Sequence, residues 1–166
     1  MTPRFRGFFL FWVLFSFTPR IYAEEISSAL AVVKGHHVNC RARPLLSSEV
    51  IFQFEEGDKI QLLSKKGAWY AVKLPKEASV FVSKDLLRMV DGVIQVQGNR
   101  VHARSGPGRA YPVLGELKDG EVIRTRRWVG DWAEIEPTEL CSGWVHASFV
   151  ALLNEEDQEI FHDHDR

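Results

Sequence analysis

Between Arg124 and Glu136 stand two tryptophans, three arginines and two glutamates. Val129-Gly130-Asp131 reads as a turn. A three-residue loop there would pair Trp128 with Trp132, Arg126 with Glu134 and Arg124 with Glu136. Side chains alternate along a strand with period two, so these six share one face, while Ile123, Ala133 and Ile135 take the other and fill the core. The polar face has two readings. It is an aromatic platform edged by arginines, suited to stacking on a sugar or peptide, or it is a solvent-facing ladder whose pairs each contribute roughly 0.2–1 kcal/mol. Turn length decides between registers: a two-residue loop shifts the pairing by one and separates the tryptophans.

Other residues offer chemistry in weaker settings. Arg104 and Tyr111 flank the loop around Pro107, and Arg109 lies inside it. With Arg126, Trp128 and Trp132, Arg104 and Tyr111 complete the candidate ligand-binding set. Trp69 stands on the more polar face of its own strand, as Trp132 does, where packing beneath a long loop serves equally well. Trp144 and Phe81 read as structural residues that close a strand. Cys40 and Cys141 are the only two cysteines. A disulfide between them would close a loop of about 100 residues and stabilise by up to roughly 4.7 kcal/mol in the chain-entropy picture. Two free, buried thiols are the other reading, since no Cα separation can be read from sequence. His162-Asp163-His164-Asp165 sits in an acidic tail with no partner at fixed spacing, and His36-His37 is no stronger, so no metal is expected. Neither G-x-S-x-G nor H-E-x-x-H occurs. Cys40 lies within a strand-forming run that suits packing better than nucleophilic attack. The expectation is a non-enzyme without cofactor.

These residues are positioned by a duplication. At an offset of 63 and without a gap, Val38-Asn39-Cys40-Arg41-Ala42-Arg43-Pro44 lies over Val101-His102-Ala103-Arg104-Ser105-Gly106-Pro107. The same offset places Gly35 on Gly98, Gly57 on Gly120, Gly67 on Gly130, Trp69 on Trp132 and Val82 on Val145. Matches on turn glycines and apolar anchors mark two copies of one module. Short alternating runs, cut by turns about every 8–12 residues, predict small all-β barrels. In the second copy the predicted strands include Val122 to Trp128, Trp132 to Glu136 and Gly143 to His146. In the first they include Lys59 to Ser64, Trp69 to Leu74 and Val80 to Ser83. The partners of Cys40 and Cys141 under the offset are Ala103 and Ala78, so the barrel itself does not require either thiol. Only Asp91-Gly92 separates Leu86-Leu87-Arg88-Met89-Val90 from Val93-Ile94-Gln95-Val96, which predicts two modules packed as one rigid body.

The run "VHARSGPGRAYPVLGELKDGEVIRTRRWVGDWAEIE…SGWVHASFV" resembles a bacterial SH3-like (SH3b) domain. It carries the V-x-x-R-S-G-P opening, the turn glycine, the G-D-W hairpin and the closing G-W-V. The first copy keeps the turn glycine, Gly57, and departs at the other three marks: Ala42-Arg43 stands for Ser-Gly, Gly67-Ala68-Trp69 for G-D-W, and Val80-Phe81-Val82 for G-W-V. The resemblance implies two tandem five-stranded SH3-like barrels packed together. It also implies a ligand outside the cytoplasm, often cell-wall peptide, although fold does not fix function.

The 166 residues carry a net charge of −1. Arg4 and Arg6 precede an uncharged apolar run, Phe8 to Phe17, and Ile21-Tyr22-Ala23 ends in a small residue before Glu24. This reads as an export signal over 1–23, the run being too short for a spanning helix, which needs roughly 20 residues. Its retention as an anchor stays open. The expected organisation is then a divergent first repeat over 24–90, a second repeat over 91–153 and an acidic, disordered tail over 154–166. Removing the signal leaves 18 basic and 22 acidic residues, and the tail holds six of the acids, so the modules are near neutral and nucleic acid is not an expected partner. The expected function is that of an exported, periplasmic or secreted, non-catalytic protein without a membrane span, binding peptidoglycan or its stem peptides. A protein-interaction module docking on an envelope partner is the alternative.

Overall fold

A computed structural model describes residues 29–153. The export signal, the acidic tail and His162-Asp163-His164-Asp165 lie outside the described residues. Fifteen strands run in order: β1 (Ala29–Val33), β2 (Val38–Arg41), β3 (Val50–Phe54), β4 (Lys59–Lys66), β5 (Trp69–Lys73), β6 (Val80–Ser83), β7 (Leu87–Val90), β8 (Val93–Val96), β9 (Val101–Arg104), β10 (Val113–Leu117), β11 (Val122–Ile123), β12 (Thr125–Val129), β13 (Trp132–Ile135), β14 (Ser142–His146) and β15 (Val150–Leu152). Single 3-10 turns, Lys84–Leu86 and Ala147–Phe149, precede β7 and β15. All-β architecture and tandem SH3-like units are as the sequence implies.

The strands do not assort by repeat. One sheet runs β15-β1-β4-β5-β14-β2-β3, and the others run β10-β9-β6-β13-β12 and β11-β8-β7. The first barrel thus comprises β1–β5 of the first repeat, closed by β14 and β15 of the second. The second barrel comprises β6–β13, so its closing strands β6 and β7 belong to the first repeat. The registers are equivalent to the residue: Trp69 faces His146 and Val72 faces Gly143, while Trp132 faces Ser83 and Ile135 faces Val80. Trp144 meets Arg41, and Phe81 meets Arg104. The two barrels have exchanged their closing strands within one chain.

Two physical causes act together. Asp91 and Gly92 both have positive φ, 51° and 81°, as a two-residue type I′ hairpin requires. That turn pairs β7 with β8 directly, Val90 against Val93, and so commits the end of the first repeat to the barrel of the second. The second cause is volume. Gly143 has an ordinary φ and is needed for space: a Cβ there would overlap Cys40 Sγ and come within 3.0 Å of both Ile51 Cδ1 and Leu74 Cδ2. In the second barrel Ala103 takes the place of Cys40 and Val80 that of Gly143. Large opposes small in both barrels, whereas unexchanged strands would set Cys40 against Val80 and Ala103 against Gly143.

The predicted boundary between repeats, at 90–91, cuts the β7–β8 hairpin. As a packed unit the second barrel is contiguous over 80–135 and is inserted between β5 and β14 of the first. The two connecting segments touch where Leu74 N–H donates to the Cys141 carbonyl at 3.4 Å. One continuous hydrophobic cluster joins both barrels, from Val33, Leu62 and Val72 through Ala78 and Cys141 to Val82, Leu117 and Ile135.

The crossing is latched by polar groups. Arg126 donates to the Ala78 carbonyl at 3.1 Å and to that of Glu77 at 3.4 Å. Glu134, only 5% exposed, accepts from the Ser79 hydroxyl at 2.7 Å and pairs with Arg127. The Ser79 hydrogen bond and the Arg127 guanidinium hold the Glu134 carboxyl below its ordinary value of 4.5, against the opposing effect of burial. A depressed carboxyl stabilises the fold above its unfolded pKa and loses that contribution as pH falls through the folded one. Glu134→Gln is expected to cost about 1–2 kcal/mol at neutral pH. In urea melts the gap between variant and parent should close once the medium is acidic enough to protonate Glu134. A gap independent of pH would show that the carboxylate charge contributes nothing.

Candidate functional site

Trp132 opens β13 directly after a two-residue turn, Gly130-Asp131, in which Gly130 takes φ 55°. Val129 consequently pairs with Trp132, and Trp128 with Ala133. The expected Trp128–Trp132 platform does not form, because the turn is one residue shorter than the platform needs and adjacent strand positions face opposite ways. A bulge between Thr125 and Arg127 then restores the expected register, so Arg124 still reaches Glu136, at 3.9 Å, while Arg127 takes the place predicted for Arg126 beside Glu134.

Trp132 instead forms part of the lining of a groove of about 420 Å³ on the second barrel. Ser83, its cross-strand partner, leaves that side open. Three arginines line the groove: Arg104 at the end of β9, Arg100 in the turn before it, and Arg109 in the loop after Pro107. Arg100 holds a left-handed backbone, φ 58°, a strained conformation for a residue with a side chain, and such strain collects at ligand sites. Its counterpart in the first barrel, His37, is left-handed too, at φ 52°. The Arg100 turn is anchored by Asp119, which accepts from Gly98 N–H at 2.8 Å and whose carboxyl is lowered chiefly by that bond.

The three guanidinium groups differ in what they have to spend. Arg100 donates twice to Glu116, at 3.0 and 3.3 Å, and that pairing lowers the Glu116 carboxyl. Arg104 has no carboxylate partner among the described residues and meets the Tyr111 carbonyl at 2.8 Å and His102 Nδ1 at 3.1 Å. Arg109 is exposed and makes no hydrogen bond or ion pair within the described residues. Asp85, from the 3-10 turn after β6, is the acid on the rim.

The first barrel carries the same groove at equivalent positions, reduced to about 120 Å³. His146 stands where Ser83 stands in the second barrel and lies edge-on against Trp69, with ring centroids 5.2 Å apart. Phe149 backs His146 at 6.4 Å. Histidine and phenylalanine in place of Ser83 and Leu86 fill the space.

Of the residues singled out from sequence, Arg104, Arg109 and Trp132 thus meet in one groove. Tyr111 touches it only through its backbone carbonyl, its ring lying against Gly106 and Gly108. Arg126 clamps the crossing segment, and Trp128 lies elsewhere. Trp128 is 49% exposed beneath Lys84, whose Nζ is 5.1 Å from the ring, and it borders an apolar notch of about 320 Å³ with Leu87, Met89 and Ile94. Cys40 and Cys141 are both free and fully buried. Burial pushes the Cys40 thiol up to about 12, and Cys40 lies against β14. Cys141, raised by burial as well, neighbours Thr138. Each sulfur has its own neighbours, and the reading of two free thiols is the one found. The sequence reading passed over Arg100, Ser83 and Asp85. The first is brought in by a left-handed turn, and the other two arrive only through strand exchange.

Residues 36–88 and 99–151 each match the family model for the bacterial SH3 domain. Over 142 aligned residues, covering 80% of this chain, it is 22% identical to a Bacillus subtilis (strain 168) protein named "Putative N-acetylmuramoyl-L-alanine amidase YrvJ". The chain spans 27% of that relative's length. No solved structure matches it. With two family matches that together cover more than half of its length, and the all-β tandem architecture they require, the chain belongs to the bacterial SH3 domain family.

Proposed function

We propose that this is a non-catalytic, exported protein of the bacterial cell envelope that binds peptidoglycan through the Trp132 groove of its second barrel. The observation that carries the reading is the groove itself, built twice at equivalent positions and open only beside the three arginines. An aromatic wall with a few convergent polar groups is the usual make-up of a small ligand site. The relative's printed name points to a bond within the same polymer, between N-acetylmuramic acid and L-alanine. Purified sacculi should co-sediment with residues 24–166. Trp132→Ala should weaken that binding at least about tenfold, as loss of a buried aromatic anchor does. Trp128→Ala, on a different face, should leave it unchanged. Absence of sedimentation at micromolar protein would sink the proposal.

A second reading, docking on an envelope protein, is favoured by the notch beside Trp128, where Met89 is 75% exposed. Cross-linking in intact cells that Met89→Glu removes, with sacculus binding intact, would support it.

A further inference from the structure

We propose that the open groove reads a carboxylate, so that its ligand is an acidic wall peptide rather than the neutral glycan, and that the protein has one such site because strand exchange closes the other groove. The inference rests on the wall-binding reading above and specifies its chemistry.

Charge carries the first part. Arg100 is neutralised by Glu116, but among the described residues neither Arg104 nor Arg109 has a carboxylate partner. Asp85 offsets one of these two charges and leaves the groove cationic. A guanidinium presents a planar fork of donors matched to a carboxylate, and Trp132 beside it offers a flat surface for the apolar part of a residue. In the first barrel the position of Arg109 is Leu46, and Arg41, the counterpart of Arg104, donates to the Ser48 carbonyl at 2.6 Å. His36 and His37 there lie against Glu55 and Glu56. That groove has one arginine without a carboxylate partner where the open groove has two, and it has less space.

Exchange carries the second part. Ser83 and Leu86 belong in sequence to the first repeat, and His146 and Phe149 to the second. Had each repeat kept its own closing strand, His146 would cover Trp132, and Ser83 would open the groove that has Arg41 alone in place of the pair Arg104 and Arg109. The exchange delivers the small residues to the barrel with the two arginines and the plug to the other.

The test compares a soluble disaccharide-tetrapeptide bearing free carboxylates with the same compound amidated at those carboxylates, titrated into residues 24–166 and followed by tryptophan fluorescence and calorimetry. The free acid should bind at a stoichiometry of one. Amidation, Arg109→Glu, and the double substitution Ser83→His with Leu86→Phe should each weaken binding at least tenfold. Arg109 is exposed and unbonded, so its variant serves even if the double substitution fails to fold. Equal binding of acid and amide, or no effect of Arg109→Glu, overturns the carboxylate site. If Trp132→Ala still abolishes sacculus binding in that case, the wall-binding reading survives without it. A stoichiometry of two overturns the closure of the first groove. If wild-type protein ignores sacculi and both compounds, the reading and the inference fall together.

Discussion

Gly143→Val should cost about 3 kcal/mol or more, and adding Cys40→Ala to the same chain should recover most of the loss. A Cβ at 143 already overlaps the Cys40 sulfur and presses on Ile51 and Leu74, so a valine there overpacks a core with no room to give. Overpacking of this kind typically costs 1–3 kcal/mol, and here two further side chains are crowded as well. The second barrel supplies the control, because Ala103 and Val80 occupy the equivalent positions and both are buried. Cys40→Ala alone should cost about 1 kcal/mol through the small void it leaves. A double-mutant cycle by urea denaturation would then give a favourable coupling near the upper end of the usual 0.5–3 kcal/mol. Additive effects would show that residues 40 and 143 do not pack against each other, and would count against the exchanged topology.

The second large effect concerns which piece of chain can fold. Residues 78–140 contain every strand of the second barrel and should melt cooperatively alone. Residues 91–153, the unit that the sequence repeat defines, should not. To close itself, that fragment would fold its own 142–146 segment onto its barrel, setting Gly143 against Ala103 where Val80 is now fully buried. The void left by an isopropyl group costs about 2–4 kcal/mol, a large part of what a core of some 60 residues can supply. Circular dichroism melts of the two fragments decide the matter. Equal stability, or a folded 91–153 beside an unfolded 78–140, would refute the contiguous second barrel.

Both expectations turn on features that one sequence shows unequally. Gly57 and Gly120, each with positive φ, are turn positions that the offset of 63 exposes directly, as are the apolar anchors between them. Asp91-Gly92 was legible as a turn, and its two flanking apolar runs are a hairpin signal. Placing the boundary between modules at that turn concealed that the hairpin joins β7 to β8 inside one barrel. Residues Val80-Phe81-Val82 and Gly143-Trp144-Val145 have the same alternation and make the same registers, so nothing local assigns either to a barrel. The assignment lies in volumes at positions about 100 residues apart in the first barrel, where Cys40 admits Gly143 and would reject Val80. The tryptophan pair fails for a related reason. Val129-Gly130-Asp131 is compatible with a loop of two or three residues, and that single residue decides which face Trp128 takes.

What the sequence alone determined, then, is the module: its duplication, its strands and turns, its family, and the presence of arginine and tryptophan at recurring positions. Those properties are local or periodic, and backbone geometry enforces them within each copy. What only the tertiary structure decided is which copy completes which barrel, and through that which groove stays open. Those outcomes rest on close packing between distant segments, where the fit of one side chain against another selects among arrangements that the backbone alone leaves equal.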